Sequence, residues 1–220
     1  MNLNSLRPAG DFSALYGAKT VVYGPPGVGK TPVGNTAPRP VMLCVEPGML
    51  SMRGSKIPSY GGFTVKTIDE FFEWAMKSNE MKNFDTIIID SISQMAEIKL
   101  ADAQAHNRDG RKAYGEMSEW VMKHLDAIFF LQYKHTYLIA KQMFEDNLVR
   151  PYFPGKDLNT KVPHRYDVIM QLAVHNIPGA GQHKAFRTSA SMEAVARDRS
   201  GKLAEYEPPD LTALFNKIMS

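Results

Sequence analysis

The feature that most constrains this chain is the octapeptide Gly24-Pro25-Pro26-Gly27-Val28-Gly29-Lys30-Thr31, which directly follows the β-branched and aromatic run Thr20-Val21-Val22-Tyr23. A buried strand that must re-enter the fold as a helix needs a sharp turn. Glycines supply it by letting the backbone curl until its N–H groups point inward. The spacing G-x-x-x-x-G-K-[ST] is that of a phosphate cradle. In it Lys30 reaches the β- and γ-phosphates and the Thr31 hydroxyl ligates magnesium. The alternative is a glycine-rich turn that matches by chance, and the strand before and helix after count against it.

A triphosphate-binding loop needs an acid on a neighbouring strand to hold its metal. Phe84-Asp85-Thr86-Ile87-Ile88-Ile89-Asp90-Ser91 is the clearest strand in the chain, a continuous apolar run of a buried parallel sheet ending in an acid. Asp90 is the metal candidate; the alternative is a strand-terminal helix cap in which Ser91 helps. ATP and Mg2+ are the ligands these residues imply. AAA+ ATPases usually place a catalytic glutamate directly after this aspartate, where the present chain has Ser91. The water-activating base must then lie elsewhere. Glu46, at the end of the apolar run Val41–Val45, is the candidate, because the C-terminal strand ends of a parallel sheet line one crevice. A loop-supporting acid before Pro47 is the alternative.

The remaining order bounds the fold. At 220 residues the chain suits one domain over 1–220, with 1–18 a short lead-in. A short strand is expected at 63–66, then a helix opened by a capping box at Thr67-Ile68-Asp69-Glu70. Further helices are expected from Ile92 and over Met117–Leu131, with a strand at Tyr137–Ala140. Strands around Val168–Val174 and Lys184–Thr188, a strand-like Glu193–Arg199 and a final helix from Asp210 complete the chain. Strands alternating with helices, then strands in succession, predict an α/β fold: a mostly parallel central sheet flanked by helices and extended by antiparallel strands at the C-terminal side. No apolar run is long enough to span a bilayer, and the N-terminus lacks the apolar core of a signal peptide. The single cysteine, Cys44, excludes a disulfide framework and reads as a buried small hydrophobe, which points to a reducing cytoplasm. The six histidines share no metal-ligand spacing.

The sequence from GPPGVGKT through VMLCVEPG to TIIIDS resembles the RecA-like recombinase core, and more closely the small core-only ATPases of tailed phages. Some of those are regarded as single-strand annealing or recombination proteins. The resemblance implies a RecA-like P-loop fold and further site residues at matching positions. ATP hydrolysis would be stimulated by single-stranded DNA in the host cytoplasm, by a homo-oligomer, ring or filament, with ATP sites between subunits. Two stretches then face DNA: 105–115, with His106, Arg108, Arg111, Lys112 and Tyr114, and 143–164, with Arg150, Lys156 and Lys161. Tyr114, Tyr152 and Phe153 are candidates to stack on bases; on composition alone both stretches are solvated loops. Lys141 or Gln142, with Gln142 preferred, senses the γ-phosphate. Arg197-Asp198-Arg199-Ser200-Gly201 resembles an element whose two basic residues reach the nucleotide of an adjacent subunit; the alternative is a surface turn. The chain departs from the family in having no convincing polymerisation strand, Phe12-Ser13-Ala14 being too little, and in a 143–153 stretch that is not glycine-rich. Helicase loading or translocation, a nucleotide-switched binding module and a small-molecule kinase are the rival functions. The net charge of +3 and a pI near 8.8 permit nucleic-acid binding without arguing for it.

Overall fold

The computed structural model describes residue 6 and residues 8–220, so the start of the 1–18 lead-in lies outside the described residues. Residues 12–14 fall inside a helix, α1 (Ala9–Tyr16). The strands are β1 (Lys19–Tyr23), β2 (Pro40–Cys44), β3 (Ser59–Gly61), β4 (Thr86–Asp90), β5 (His135–Ile139), β6 (Lys141–Glu145), β7 (Leu148–Tyr152), β8 (Val168–Ile177), β9 (Gly181–Arg187), β10 (Arg197–Asp198) and β11 (Tyr206–Glu207). All but β6 and β7 form one sheet in the order β11-β9-β8-β1-β5-β4-β2-β3, with β10 on β8. From β3 across to β8 every pairing is parallel, while β9, β10 and β11 are antiparallel additions. This is the architecture read from the sequence.

The continuous apolar runs are explained by burial on both sides. Residues alternate between two cores. Leu43, Ile87, Ile89 and Leu138 face α3 (Val65–Lys77), α4 (Ile92–His106), α5 (Gly110–Phe129) and α6 (Lys156–Arg165). Met42, Ile88, Tyr137 and Ile139 face the short α2 (Lys30–Val33) and the final α7 (Leu211–Met219). Cys44 is buried among the second set, as expected. Among the described residues no helix is long and apolar enough to cross a membrane.

Several local expectations are corrected. There is no strand at 63–66: α3 begins at Val65, capped by the Thr64 side chain with Thr67 in the reciprocal role. The box therefore opens three residues earlier than the Thr67–Glu70 spacing indicates, because a threonine hydroxyl at the fourth position does the work expected of an acid. The stretch 105–115 is mostly helix. Only Asn107-Arg108-Asp109 separates α4 from α5, with the Asp109 carboxylate accepting from Arg111 N–H. The stretch 143–164 is not a loop either. It holds most of a two-stranded hairpin, β6 with β7, followed by α6. Asp146 and Asn147 close the hairpin with φ of 52° and 62°, the left-handed pair that a two-residue turn between twisted strands requires. Of the strand-like 193–199 stretch, Arg197-Asp198 alone is a strand.

Candidate active site

The phosphate loop follows β1, at the centre of the sheet between β5 and β8. Its glycines are needed sterically. A methyl group on Gly24 would lie 2.1 Å from the Leu172 carbonyl oxygen of β8, and Gly27 and Gly29 have φ of 77° and 95°. Lys30 Nζ donates to the carbonyls of Gly24 at 2.7 Å and Pro25 at 3.0 Å, so the lysine is folded back across the loop. Burial depresses its pKa, opposed by the charges of Asp90 and Glu46. From β5, buried Tyr137 donates its hydroxyl to the Lys30 carbonyl at 2.9 Å and ties the loop to the sheet.

Two strands bring the acids to this loop. Asp90 closes β4, buried, and accepts from the Thr31 hydroxyl at 2.5 Å. Its carboxyl is pushed up chiefly by burial and in part by Glu46, with the Thr31 hydrogen bond and Lys30 opposing. Val45 and Glu46 N–H both donate to the Asp90 carbonyl, at 2.6 and 3.3 Å, which carries the end of β2 over the end of β4. There the Ser91 hydroxyl donates to Glu46 Oε1 at 2.6 Å while accepting the Gln94 N–H that caps α4. A hydroxyl beside a buried carboxylate supplies the hard oxygen donors magnesium prefers, so Thr31 and Asp90 fit that ion. Lys30, Thr31, Glu46, Asp90, Ser91 and Gln142 thus line one cleft of about 560 Å³.

Compared with known protein families, residues 16–200 match one described as AAA domain. The chain belongs to the AAA domain family. Among solved structures, the KaiC-like protein PH0186 from the hyperthermophilic archaeon Pyrococcus horikoshii OT3 is similar at 13% identity. That likeness covers 79% of this chain and 81% of that chain, with a TM-score of 0.43. No curated protein matches the chain. This AAA domain is therefore an ATP-binding P-loop ATPase domain. In place of a glutamate after the strand-terminal aspartate it has Ser91, and Ser91 holds an acid from the next strand, Glu46.

The other predicted residues separate by position. Lys141 and Gln142 both line the cleft; the Lys141 ammonium donates to Gln94 at 2.8 Å and Glu97 at 2.7 Å of α4, and Gln142 accepts from Gln171 at 3.4 Å. Arg108, Arg111, Lys112 and Tyr114 are exposed where α4 turns into α5, and His106 is exposed at the end of α4. Glu116, which sequence alone sets against these cations, is paired with Lys99 at 2.6 Å instead. Among the described residues, Arg108, Arg111 and Lys112 make no ion pair. Tyr114 packs over Gly155, where a methyl group would lie 2.9 Å from its ring, and so stands next to exposed Lys156. Arg150 pairs with Glu145 and Lys161 with Asp157. Tyr152 is half-buried at the end of β7. Phe153 is 1% exposed, so the base-stacking role expected of it is corrected: the ring is part of the core. Phe144, which carries no sequence signal of its own, is 70% exposed on the hairpin.

Arg197 and Arg199 lie elsewhere. β10 pairs with Val168 and Ile169 at the start of β8, the end of the sheet away from the phosphate loop. The Arg197 guanidinium donates to the Pro163 and Tyr166 carbonyls, closing the C-terminus of α6. Arg199 donates to the His164 carbonyl at 2.8 Å and faces Asp167 at 3.7 Å. Neither reaches the nucleotide cleft of its own chain, and Arg197 is committed to its own fold.

Proposed function

We propose that this ATPase domain hydrolyses ATP with magnesium and couples the reaction to single-stranded DNA, in recombination or strand annealing. One observation carries the catalytic part: Glu46, from a different strand than the phosphate loop and Asp90, is hydrogen-bonded by Ser91 at the mouth of the same cleft. Thr31 and Asp90 would hold the magnesium, which when bound neutralises charge developing on the phosphates. Lys30 leaves the Gly24 and Pro25 carbonyls and pairs with the β- and γ-phosphates. With Oε1 taken by Ser91, Glu46 uses Oε2 to accept a proton from water as its oxygen bonds to the γ-phosphorus. The bond from that phosphorus to the ADP oxygen breaks, giving ADP and phosphate. Gln142 is the candidate that senses the γ-phosphate.

The DNA part is supported by geometry at the same end of the molecule. α5 has 20 residues and so spans about 30 Å, whereas the five-residue β5 it feeds spans about 17 Å. Its N-terminal turn therefore overshoots the strand ends on the phosphate-loop side. Arg108, Arg111 and Lys112, the exposed Tyr114 ring and, on the hairpin, exposed Phe144 offer phosphate contacts and stacking platforms. α4 runs from Ser91 to that basic tip, one continuous helix between the Glu46 contact and the surface.

The test is the ATPase rate with and without single-stranded DNA at two salt concentrations, with Lys30→Ala as the control. Stimulation that weakens as salt rises, and that Lys30→Ala abolishes, is the expected result. Turnover indifferent to DNA would remove the DNA reading and leave the nucleotide site standing.

A further inference from the structure

The hairpin of β8 and β9 is longer than the strand it flanks. Tyr23, the last residue of β1, stands opposite Gln171, and the Val174–Lys184 pair lies three residues further on. The hairpin thus overhangs the phosphate loop. On that overhang Lys184 leans back toward the loop: a methyl group on Gly29 would lie 3.4 Å from its Nζ. Lys184 is exposed and, among the described residues, its ammonium makes no hydrogen bond or ion pair. Lys30, by contrast, has two carbonyl acceptors. An ammonium without an acceptor, carried by a paired strand to the rim of an anion cradle, is arranged for a ligand that brings negative charge. The cradle is also poor in main-chain donors, because Pro25 and Pro26 in the loop and Pro32 directly after it have no N–H.

We propose that Lys184 is a second nucleotide-binding lysine, supplied from β9 of the same chain, which pairs with the phosphates held at the Gly24–Thr31 loop. The inference rests on the nucleotide reading above and deepens it. Because Lys184 approaches at Gly29, it meets the phosphates shared by nucleoside di- and triphosphates. Its ammonium stays open to solvent, so the contact is screened by salt and its contribution is modest.

The test is calorimetric titration of the full chain with Mg-ADP and with Mg-ATP, at low and raised salt. It compares the wild type with Lys184→Gln, Lys184→Arg and Lys30→Ala, and with Lys77→Gln on α3 as a control for net charge. Lys184→Gln should weaken both nucleotides by about three- to ten-fold at low salt and less at raised salt. Lys184→Arg should stay within about two-fold of wild type, and Lys77→Gln should change nothing. Unaltered binding in Lys184→Gln, or a loss confined to ATP, would overturn the assignment. A wild type that binds neither nucleotide would overturn the phosphate-loop reading itself, a result distinct from either.

Discussion

Ser91 illustrates how one side chain can serve two structures. Its hydroxyl caps α4 by accepting from Gln94 N–H and holds Glu46 by donating to Oε1. A hydroxyl has one proton to give and lone pairs to receive with, so the two roles do not compete. Ser91→Ala removes both at once. The loss of the cap costs about 1 kcal/mol of stability. The loss of the Glu46 contact frees the carboxylate to leave the line of attack, and kcat should fall about ten-fold while the Kd for ATP stays near wild type. Ser91→Thr retains the hydroxyl and should restore most of the rate at near-equal stability. A Ser91→Ala protein with undiminished kcat would show that Glu46 is positioned by other means, or is not the base. At the same scale Lys141 and Gln142 differ in what they already hold: two acceptors on α4 engage the Lys141 ammonium, while Gln142 accepts one hydrogen bond from Gln171.

Among the elements, α7 shows how a terminal helix is locked to the sheet. Leu211, Leu214 and Phe215 are buried against the core face that carries Met42, Ile88 and Tyr137. Phe215 stacks on the His135 ring of β5, centroids 4.4 Å apart, while His135 Nδ1 accepts from Ala18 N–H at 3.0 Å. That nitrogen must be unprotonated, and burial, helped by the nearby Lys19 charge, lowers the His135 pKa from 6.5 to about 4. In the unfolded chain the ring takes up a proton near its ordinary pKa. The stabilisation is therefore complete above pH 6.5 and is lost as pH falls toward 4, a total on the order of 3 kcal/mol. Denaturation followed between pH 6.5 and 4.5 should show this decline. His135→Gln, which keeps an acceptor but does not titrate, should make it shallower; an equal slope in the variant would place the titrating group elsewhere.

At the scale of the whole molecule, the sheet separates two sets of functional candidates. The nucleotide cleft, the hairpin and the basic tip of α5 lie at the C-terminal strand ends, while Arg199 lies at the other end, half-exposed. An arginine so placed can complete a nucleotide site only in another copy of the chain. Mixing Lys30→Ala with Arg199→Ala protein tests this. If copies of the chain share nucleotide sites in this way, each variant alone should be inactive and a mixture should recover part of the wild-type rate, since some interfaces would pair an intact loop with an intact arginine. Full activity of Arg199→Ala alone would dismiss the arginine from the reaction.

What is legible in the sequence is what short stretches of backbone encode by themselves. The Gly24–Thr31 loop needs left-handed glycines at fixed offsets, the buried parallel strands need unbroken apolar runs, and Asp90 stands where one such run stops. The parallel sheet with its antiparallel extension follows from the order of those runs. Two misreadings are also local: a threonine in place of an acid conceals the cap of α3, and Asp146-Asn147 conceals a hairpin turn. The rest is decided by tertiary structure, because it depends on residues far apart in the chain meeting in space. Glu46 comes within reach of the cleft by arriving at Ser91, Phe153 is lost to the core by facing inward, and Glu116 is drawn from the basic tip by Lys99. Lys184 reaches the phosphate loop because β9 returns along β8 beyond the end of β1. No pattern of neighbours records such a meeting, since the partners are chosen by the register of the sheet and the packing of the helices on it and not by the chain between them.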